Sequence, residues 1–471
     1  MRVCFLVVSC LLIAFPADSC VVADVDPPAA DQNQKAVWKF GVAAVNITPE
    51  VPMLMSGYAS RDRPAEGKLT DLWAKALVLE DASGKKCALI TLDLVGTGRR
   101  FRQLVGRELK ARYDLQNGEF AICNSHTHTG PAVSRNLTPM VDVLASDTQK
   151  KQIEDYTSAT VGKVVDLVHQ AISDMRPGSL SWGSGNSTFG ANRRNNSERD
   201  IRSLRTAGTI QGPFDHDVPV LAVRDENEKL RAIVFGYACH ATVLSSYQWS
   251  GDYPGFAQIE LENRYPGCVA MFWAGCGADQ NPLPRRSDRL ASHYGRQLAT
   301  SVEAVLLTHE MRPVKSQLVT AYAEIPLSYA AVPTADQIQS DSESRDRFVA
   351  ARAKLMRHEL DVNGKIAKTY PYPIASWQLG DLQFVFLGGE VVVDFSIRLK
   401  EELRGKQTWV AAYTNDVMAY IPTERVLREG GYEGGGAMVY YGLPSAWAPG
   451  LEQEIVDKVR EQLGGDREID R

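Results

Sequence analysis

The sequence predicts an α/β fold of mixed α+β character: one large domain in which mixed β-sheets are flanked by helices. Three observations predict it. Short apolar runs alternate with longer amphipathic stretches along most of the chain, the pattern of strands interleaved with helices. No internal repeat period occurs, and no Pro- or Ser-rich linker divides the chain beyond its first residues. The 471 residues are 44% apolar and 23% charged, enough apolar material for a sizeable core, which excludes a disordered or low-complexity protein. The formal net charge is −5. With no basic excess to release counterions, nucleic acid is excluded as the main partner.

The chain opens with Arg2 and an apolar run from Val3 to Pro16, the length of a signal-peptide core and too short to span a bilayer. Residues 1–23 read as a signal peptide cleaved after Ala23, so the protein is expected to be exported, periplasmic or secreted. Cleavage before Cys20 would give a lipid anchor instead, although Ala17-Asp18-Ser19 lacks the leucine usual three residues upstream. Residues 24–36 are polar and Pro-rich and read as a flexible leader, leaving 37–471 as the folded domain. No later segment has the ~18 uninterrupted apolar residues of a transmembrane helix.

Within the domain, Lys75–Leu79 and Lys86–Leu94 read as paired strands joined by the turn Asp81-Ala82-Ser83-Gly84. Arg99–Tyr113 has helical spacing, and Phe120–Asn124 is a short strand. Asp147–Asp174 reads as a long amphipathic helix closed by Pro177-Gly178. Strands follow at Ser179–Trp182, Val218–Val223 and Ala232–Cys239, then a helix within Gly255–Arg264 and a strand at Cys268–Trp273. Helices are expected at Asp288–Leu307 and, strongly charged, at Thr334–Glu359. Strands Ile374–Leu379 and Gln383–Leu387 precede a helix at Asp394–Leu403, and a Gly-rich stretch leads to a last helix at Leu451–Leu463. The polar clusters fall at strand ends.

Five cysteines follow Cys20, at wide spacings and mostly in apolar runs. They read as small buried hydrophobes, not as a disulfide framework or a zinc knuckle.

The eight histidines are more informative. Two stand in Cys123-Asn124-Ser125-His126-Thr127-His128-Thr129-Gly130-Pro131, directly after an apolar strand. On an extended backbone residues two apart share a face, so both imidazoles are expected to reach one metal or catalytic site. His240 ends the strand Ala232–Cys239 in the same way and is a natural third imidazole. Cys239 with His240 as thiol nucleophile and base is disfavoured, because neighbours on a strand point to opposite faces. Glu390 lies between Gly388-Gly389 and Val391-Val392-Val393, where a buried carboxylate needs a partner or a cation. Asp93 and Asp252 are candidate anchors for histidine N–H groups, or simple turn residues.

These segments, in order, resemble the catalytic domain of the neutral (non-lysosomal) ceramidase family. The matching elements are Gly41-Val42-Ala43 through Thr48-Pro49, Gly57-Tyr58, Asn124 to Pro131, His240, Gly277 to Pro282, Gly389-Glu390, Tyr420 and Tyr432-Glu433-Gly434-Gly435. The resemblance implies an exported zinc amidase that splits the N-acyl bond of ceramide. It implies one Zn²⁺ per chain held by His126, His240, Glu390 and Tyr420. By the same resemblance His128 is the general base and acid, while Tyr432 and Arg193 hold the oxyanion, with Arg194 a rival to Arg193. Two departures bear on lipid specificity: Asn281 stands where the family has a serine before Pro282, and no C-terminal sandwich domain is expected. The implied partner is a small-molecule or lipid N-acyl substrate. With no basic amphipathic helix in view, membrane contact is expected to be weak and peripheral at most. A zinc hydrolase of the same fold acting on another N-acyl, glycan, peptide or ester substrate, or a non-catalytic exported binding protein, are the alternatives.

Overall fold

Strands that alternate core-facing residues on both faces must be covered on both faces, and here they are. The computed structural model describes residues 38–308 and 311–464. The expected signal peptide, leader and Cys20 lie outside the described residues. A large mixed sheet is built from β1 (Trp38–Asn46), β2 (Trp73–Glu80), β3 (Lys86–Leu92), β4 (Phe120–Asn124), β5 (Arg176–Asn186), β6 (Asp217–Asp225), β7 (Leu230–Tyr237) and β8 (Val269–Ala274). Their order across the sheet is β8-β7-β6-β5-β1-β2-β3-β4, with the two-residue β9 (Arg312–Pro313) paired to β5. The pairs β3/β4 and β7/β8 are parallel and the rest antiparallel. A second sheet is formed by β10 (Leu318–Ser328), β11 (Thr369–Leu379), β12 (Leu382–Leu387) and β13 (Thr408–Ala411), of which β12 and β13 are parallel.

The period-2 pattern sorts side chains between layers. Leu77, Leu79, Leu221, Val223 and Trp273 of the large sheet face Trp377, Phe384, Phe386 and Trp409 of the small one in a single apolar cluster. The intervening residues Ala76, Val78, Ile90 and Ile122 turn outward onto α1 (Arg99–Tyr113) and α2 (Asp147–Ser173). At the other end Ile233, Phe235 and Phe272 turn onto α3 (Asp252–Arg264) and α4 (Asp288–Leu307). Ile374, Val385 and Leu387 of the small sheet back onto α7 (Val393–Glu402) and α8 (Leu451–Gln462). The result is a four-layer α/β/β/α stack, and each large aliphatic or Phe side chain buried in it contributes roughly 1.5–3 kcal/mol.

Most of the expected elements are present, the β2–β3 hairpin, α1, β4 and α4 among them. Two readings are corrected, and some strands were not anticipated. Pro177-Gly178 does not close α2 but lies in β5 opposite Lys39 and Trp38, and a Cβ on Gly178 would sit 2.4 Å from the Arg224 carbonyl oxygen, so the glycine serves strand packing. The charged helix Thr334–Glu359 is two helices, α5 (Ala335–Ser342) and α6 (Arg347–Asn363). The Asp346 side chain accepts from the N–H groups of Phe348 and Val349 and so starts a new helix where continuous spacing suggested one. The strands β1, β10 and β13 went unread. In β10 and β11, Pro326 and Pro371 face each other across the ladder, a pattern that reads as loop. The five cysteines of the described residues are buried and free, as expected. No helix among the described residues is long and apolar enough to cross a membrane.

Candidate metal centre

The parallel strand pairs of the two main sheets end at the same place. His126 follows β4, His240 follows β7, the segment 275–282 follows β8, Glu390 follows β12 and Tyr413 follows β13, so the carboxyl ends of the two sheets converge on one polar cluster, the usual ligand position in open α/β sheets. The short parallel bridge of Glu390–Val391 with Tyr420–Ile421 sets Tyr420 beside Glu390.

His126 and His240 are built alike. Each is about 1% exposed. His126 Nδ1 lies 2.5 Å from the Val95 carbonyl oxygen and His240 Nδ1 lies 2.7 Å from that of Gly277. A carbonyl only accepts, so each Nδ1 carries the proton and each Nε2 presents a lone pair. Both Nε2 atoms face one oxygen: Glu390 Oε2 is 3.1 Å from His126 Nε2 and 3.2 Å from His240 Nε2. The other oxygen, Oε1, accepts from the Tyr441 hydroxyl. Tyr420 Oη is 3.4 Å from His240 Nε2 and accepts from Arg193 Nη2 at 3.1 Å.

The electrostatics follow from burial. Burial, with the nearby Arg193 cation, pushes the His240 imidazole down to about 4, so it is neutral at physiological pH. Burial and the two neighbouring imidazoles hold His128 well below the ordinary histidine range. Burial acts to raise the Glu390 carboxyl, but His126 and His240 outweigh it and keep it ionised. Burial and the Glu390 charge push the Tyr420 phenol well above its ordinary value, so it is protonated unless a cation is present.

Two imidazole nitrogens and a carboxylate oxygen brought this close repel one another unless a proton or a metal cation sits between them. The ligand atoms of a tetrahedral zinc with bonds of about 2.0–2.2 Å lie roughly 3.3–3.6 Å apart, and the contacts of 3.1, 3.2 and 3.4 Å come close to that edge length. The donor set therefore fits a divalent metal. His126, His128 and His240 together form a buried triad whose ligand nitrogens lie within 4.8 Å of one another.

His128 differs from the other two. Its Nε2 is 3.0 Å from His126 Nε2, but its Nδ1 is buried without a hydrogen-bond partner. The convergence of His126 and His128 has a different cause from the one their spacing suggested. The chain leaves β4 before His126, which takes a left-handed backbone with φ 58°, and a turn rather than an extended strand brings the rings together.

Of the two arginines, Arg193 reaches the centre; its Nε donates to Glu433 Oε1 at 2.7 Å. Arg194 turns to Glu429, Glu433 and the Gly430 carbonyl. Tyr432 stands at the rim, 44% exposed, with its ring 5.2 Å from that of Tyr420. Asp93 and Asp252 do not anchor histidines, since backbone carbonyls do so. Asp93 accepts from the N–H of Trp73, and Asp252 from those of Leu244 and Tyr253. Cys239 is buried and its thiol pushed well up by burial, consistent with an inert side chain. Asn281 is buried in a short ribbon opposite Ala191, and its Oδ1 makes no hydrogen bond.

The family described as neutral/alkaline non-lysosomal ceramidase, N-terminal, matches residues 38–366. The chain belongs to this ceramidase family. Among curated relatives, a neutral ceramidase of Pseudomonas aeruginosa is 27% identical over 263 residues, 54% of this chain and 38% of that protein. A neutral ceramidase of Drosophila melanogaster is 34% identical over 99 residues, 20% of this chain and 14% of that protein. These matches span well under half the length of either relative. A crystal structure of the P. aeruginosa neutral ceramidase superposes with a TM-score of 0.69 at 19% identity, covering 91% of this chain and 75% of that one. A ceramidase complexed with C2 gives 0.71 at 20% identity, covering 90% and 74%. The mixed α/β fold is thus that of the ceramidases. The family match contains His126, His128, Arg193 and His240, while Glu390, Tyr420, Tyr432 and Tyr441 lie C-terminal to it.

Sequence reading missed Tyr441 and Tyr413. Tyr441 holds Glu390, and Tyr413 stacks on the His126 ring at 4.2 Å between centroids. Their only signal was tyrosine in irregular, partly Gly-rich chain.

Proposed function

We propose that this ceramidase-family chain is a zinc-dependent amidohydrolase that cleaves the N-acyl amide bond of ceramide-like substrates to a fatty acid and an amine. The observation that carries the reading is the pair of Nε2 lone pairs, each fixed by a carbonyl on Nδ1, facing a single ionised oxygen of Glu390 at 3.1 and 3.2 Å. His126, His240, Glu390 and Tyr420 would hold the ion, which when bound supplies the Lewis acidity that activates water and polarises an amide carbonyl near neutral pH.

The protein's own groups do the rest. His128 Nε2 faces the centre, and its Nδ1 is not tied to one tautomer, so the ring is free to take a proton from water and return it to the leaving nitrogen. Burial keeps it unprotonated, the form a base needs. Arg193, held by Glu433 and Tyr420, places a fixed positive charge where an oxyanion would form, and Tyr432 presents a phenol at the rim; each such donor is typically worth ~3 kcal/mol. Tyr441 orients Glu390.

Metal analysis of the purified protein combined with a panel of short- and long-chain N-acyl amides, esters and acylated sugars tests the proposal. Near-stoichiometric zinc with hydrolysis of N-acyl sphingoid amides is the expected result. Zinc with turnover confined to esters or acyl sugars would assign a different substrate, and absence of zinc would overturn the reading.

A further inference from the structure

His126 and His240 are oriented by hydrogen bonds on Nδ1, whereas the His128 ring has none there. Something else must set its angle. The segment Ser56–Arg61 packs directly on it. Gly57 has φ 96°, and a Cβ placed there would lie 2.5 Å from His128 Nδ1, so the backbone of Gly57 forms one wall of the ring's slot. The Tyr58 ring forms another, tilted 57° to the imidazole with centroids 4.8 Å apart, and its hydroxyl is tied to the Leu244 carbonyl at 2.8 Å.

One side chain fastens this arrangement. Arg61 is 3% exposed. Its Nη1 donates to the carbonyl oxygens of Ser56 and His128, both at 2.6 Å, and Nη2 donates to that of Ser246 at 3.0 Å. Three chain segments, including the backbone of His128 itself, meet on one guanidinium. No carboxylate pairs with it among the described residues, and its charge lies against the Tyr58 ring, Cζ 4.9 Å from the centroid. A buried cation without an anionic partner is costly, so a position that keeps one for purely structural ends could be served by an apolar side chain of similar volume. Arginine alone offers a planar fork that reaches several carbonyls at once.

We propose that Arg61 is a positioning residue for His128, holding its backbone and, through Gly57 and Tyr58, its ring at the angle needed for proton transfer. This rests on the assignment of His128 as acid–base group in the proposed amidase. The Arg61 hydrogen bonds go to the carbonyls of Ser56, His128 and Ser246 and not to His126, His240, Glu390 or Tyr420.

The test uses Arg61→Met and Arg61→Lys in the full chain, with zinc content, kcat and KM measured for an N-acyl amide. A misplacement of about 1 Å can cost 100-fold in rate. Arg61→Met is therefore expected to lower kcat about 10- to 100-fold with KM within threefold and zinc content unchanged, and Arg61→Lys, which can still reach one or two carbonyls, to recover part of the loss. In a His128→Ala background Arg61→Met is expected to change kcat less than twofold. Equal losses in both backgrounds, or a loss lying in KM or zinc content, would overturn the proposal. Carbethoxylation of His128, followed by peptide mass spectrometry, reads ring shielding without catalysis and should speed up several-fold in Arg61→Met. Arg61→Lys supplies the comparison if Arg61→Met does not fold. Faster modification in a chain whose wild type hydrolyses no N-acyl amide would sink the amidase reading alone; unchanged modification beside wild-type turnover would sink the positioning role alone.

Discussion

Replacing Glu390 with Gln removes the negative charge from the one oxygen that both His126 and His240 face while keeping the shape of the side chain. In the wild type, Oε2 lies 3.1 and 3.2 Å from the two Nε2 atoms and Oε1 is held by the Tyr441 hydroxyl. The amide cannot serve all of these at once: if its oxygen takes the ligand position its NH₂ meets Tyr441, and if it turns over, N–H groups point where the cation belongs. Loss of a supporting hydrogen bond near a metal typically costs 10–100-fold in affinity. Loss of the anionic ligand itself should exceed that, so more than 100-fold, or about 3 kcal/mol, is expected. Tyr441→Phe, which removes only the support of Oε1, should fall within 10–100-fold. Without metal, the Glu390 carboxyl is still held well below its ordinary value by His126 and His240. Its charge therefore contributes stability above the unfolded carboxyl value, and metal-free Glu390→Gln should be less stable than metal-free wild type near neutral pH. Competition with a chromogenic zinc chelator gives the affinities, and urea unfolding with and without chelator gives the stabilities. Unchanged zinc affinity in Glu390→Gln, beside a clear loss in His126→Ala or His240→Ala, would refute the four-ligand assignment and leave the three-histidine set instead.

The other predictions address the base, a buried acid and the substrate's physical state. His128→Ala should retain zinc but lose roughly 10²–10⁴ in kcat, the usual contribution of a placed acid–base group; loss of zinc in this variant would make His128 a ligand. Asp416 is buried, which pushes its carboxyl from 3.8 up to about 6; the folded state then binds its proton more tightly than the unfolded chain. Its contribution is full below the unfolded value and fades as pH rises through about 6, by about 3 kcal/mol. Asp416→Asn should therefore gain stability relative to wild type between pH 4 and pH 7 in urea unfolding, and a pH-independent difference would show that the carboxyl titrates normally. The long charged segment of the sequence forms α5 and α6, which carry both signs of charge and bury only Ile338, Ala353 and Met356. Binding to anionic vesicles should accordingly be weak, with faster turnover of an N-acyl amide in micelles than in bilayers; tight co-sedimentation with faster bilayer turnover contradicts this.

The sequence by itself determined the strand-and-helix alternation, the polar motif after β4, and the family, because apolar periodicity and a string such as Asn124 to Pro131 are local properties. It also pointed to His126, His128, His240 and Glu390 and, through the family resemblance, to Tyr420, Tyr432 and one of the pair Arg193 and Arg194, and the fold brings these together. Three things needed the tertiary structure. The carbonyls of Val95 and Gly277 orient the rings of His126 and His240 through Nδ1, and backbone groups carry no signature in side-chain type, so Asp93 and Asp252 looked like better anchors than they are. Arg193 and Arg194 are adjacent, and only the ribbon that pairs Gly190–Asn192 with Gln280–Pro282 decides which one turns inward. Arg61 and Tyr441 reach the site from 67 residues before His128 and 51 residues after Glu390. Contacts over such separations follow from how the sheets stack, since neither Gly57-Tyr58 beside Arg61 nor the Gly-rich chain before Tyr441 says which distant residue each will meet.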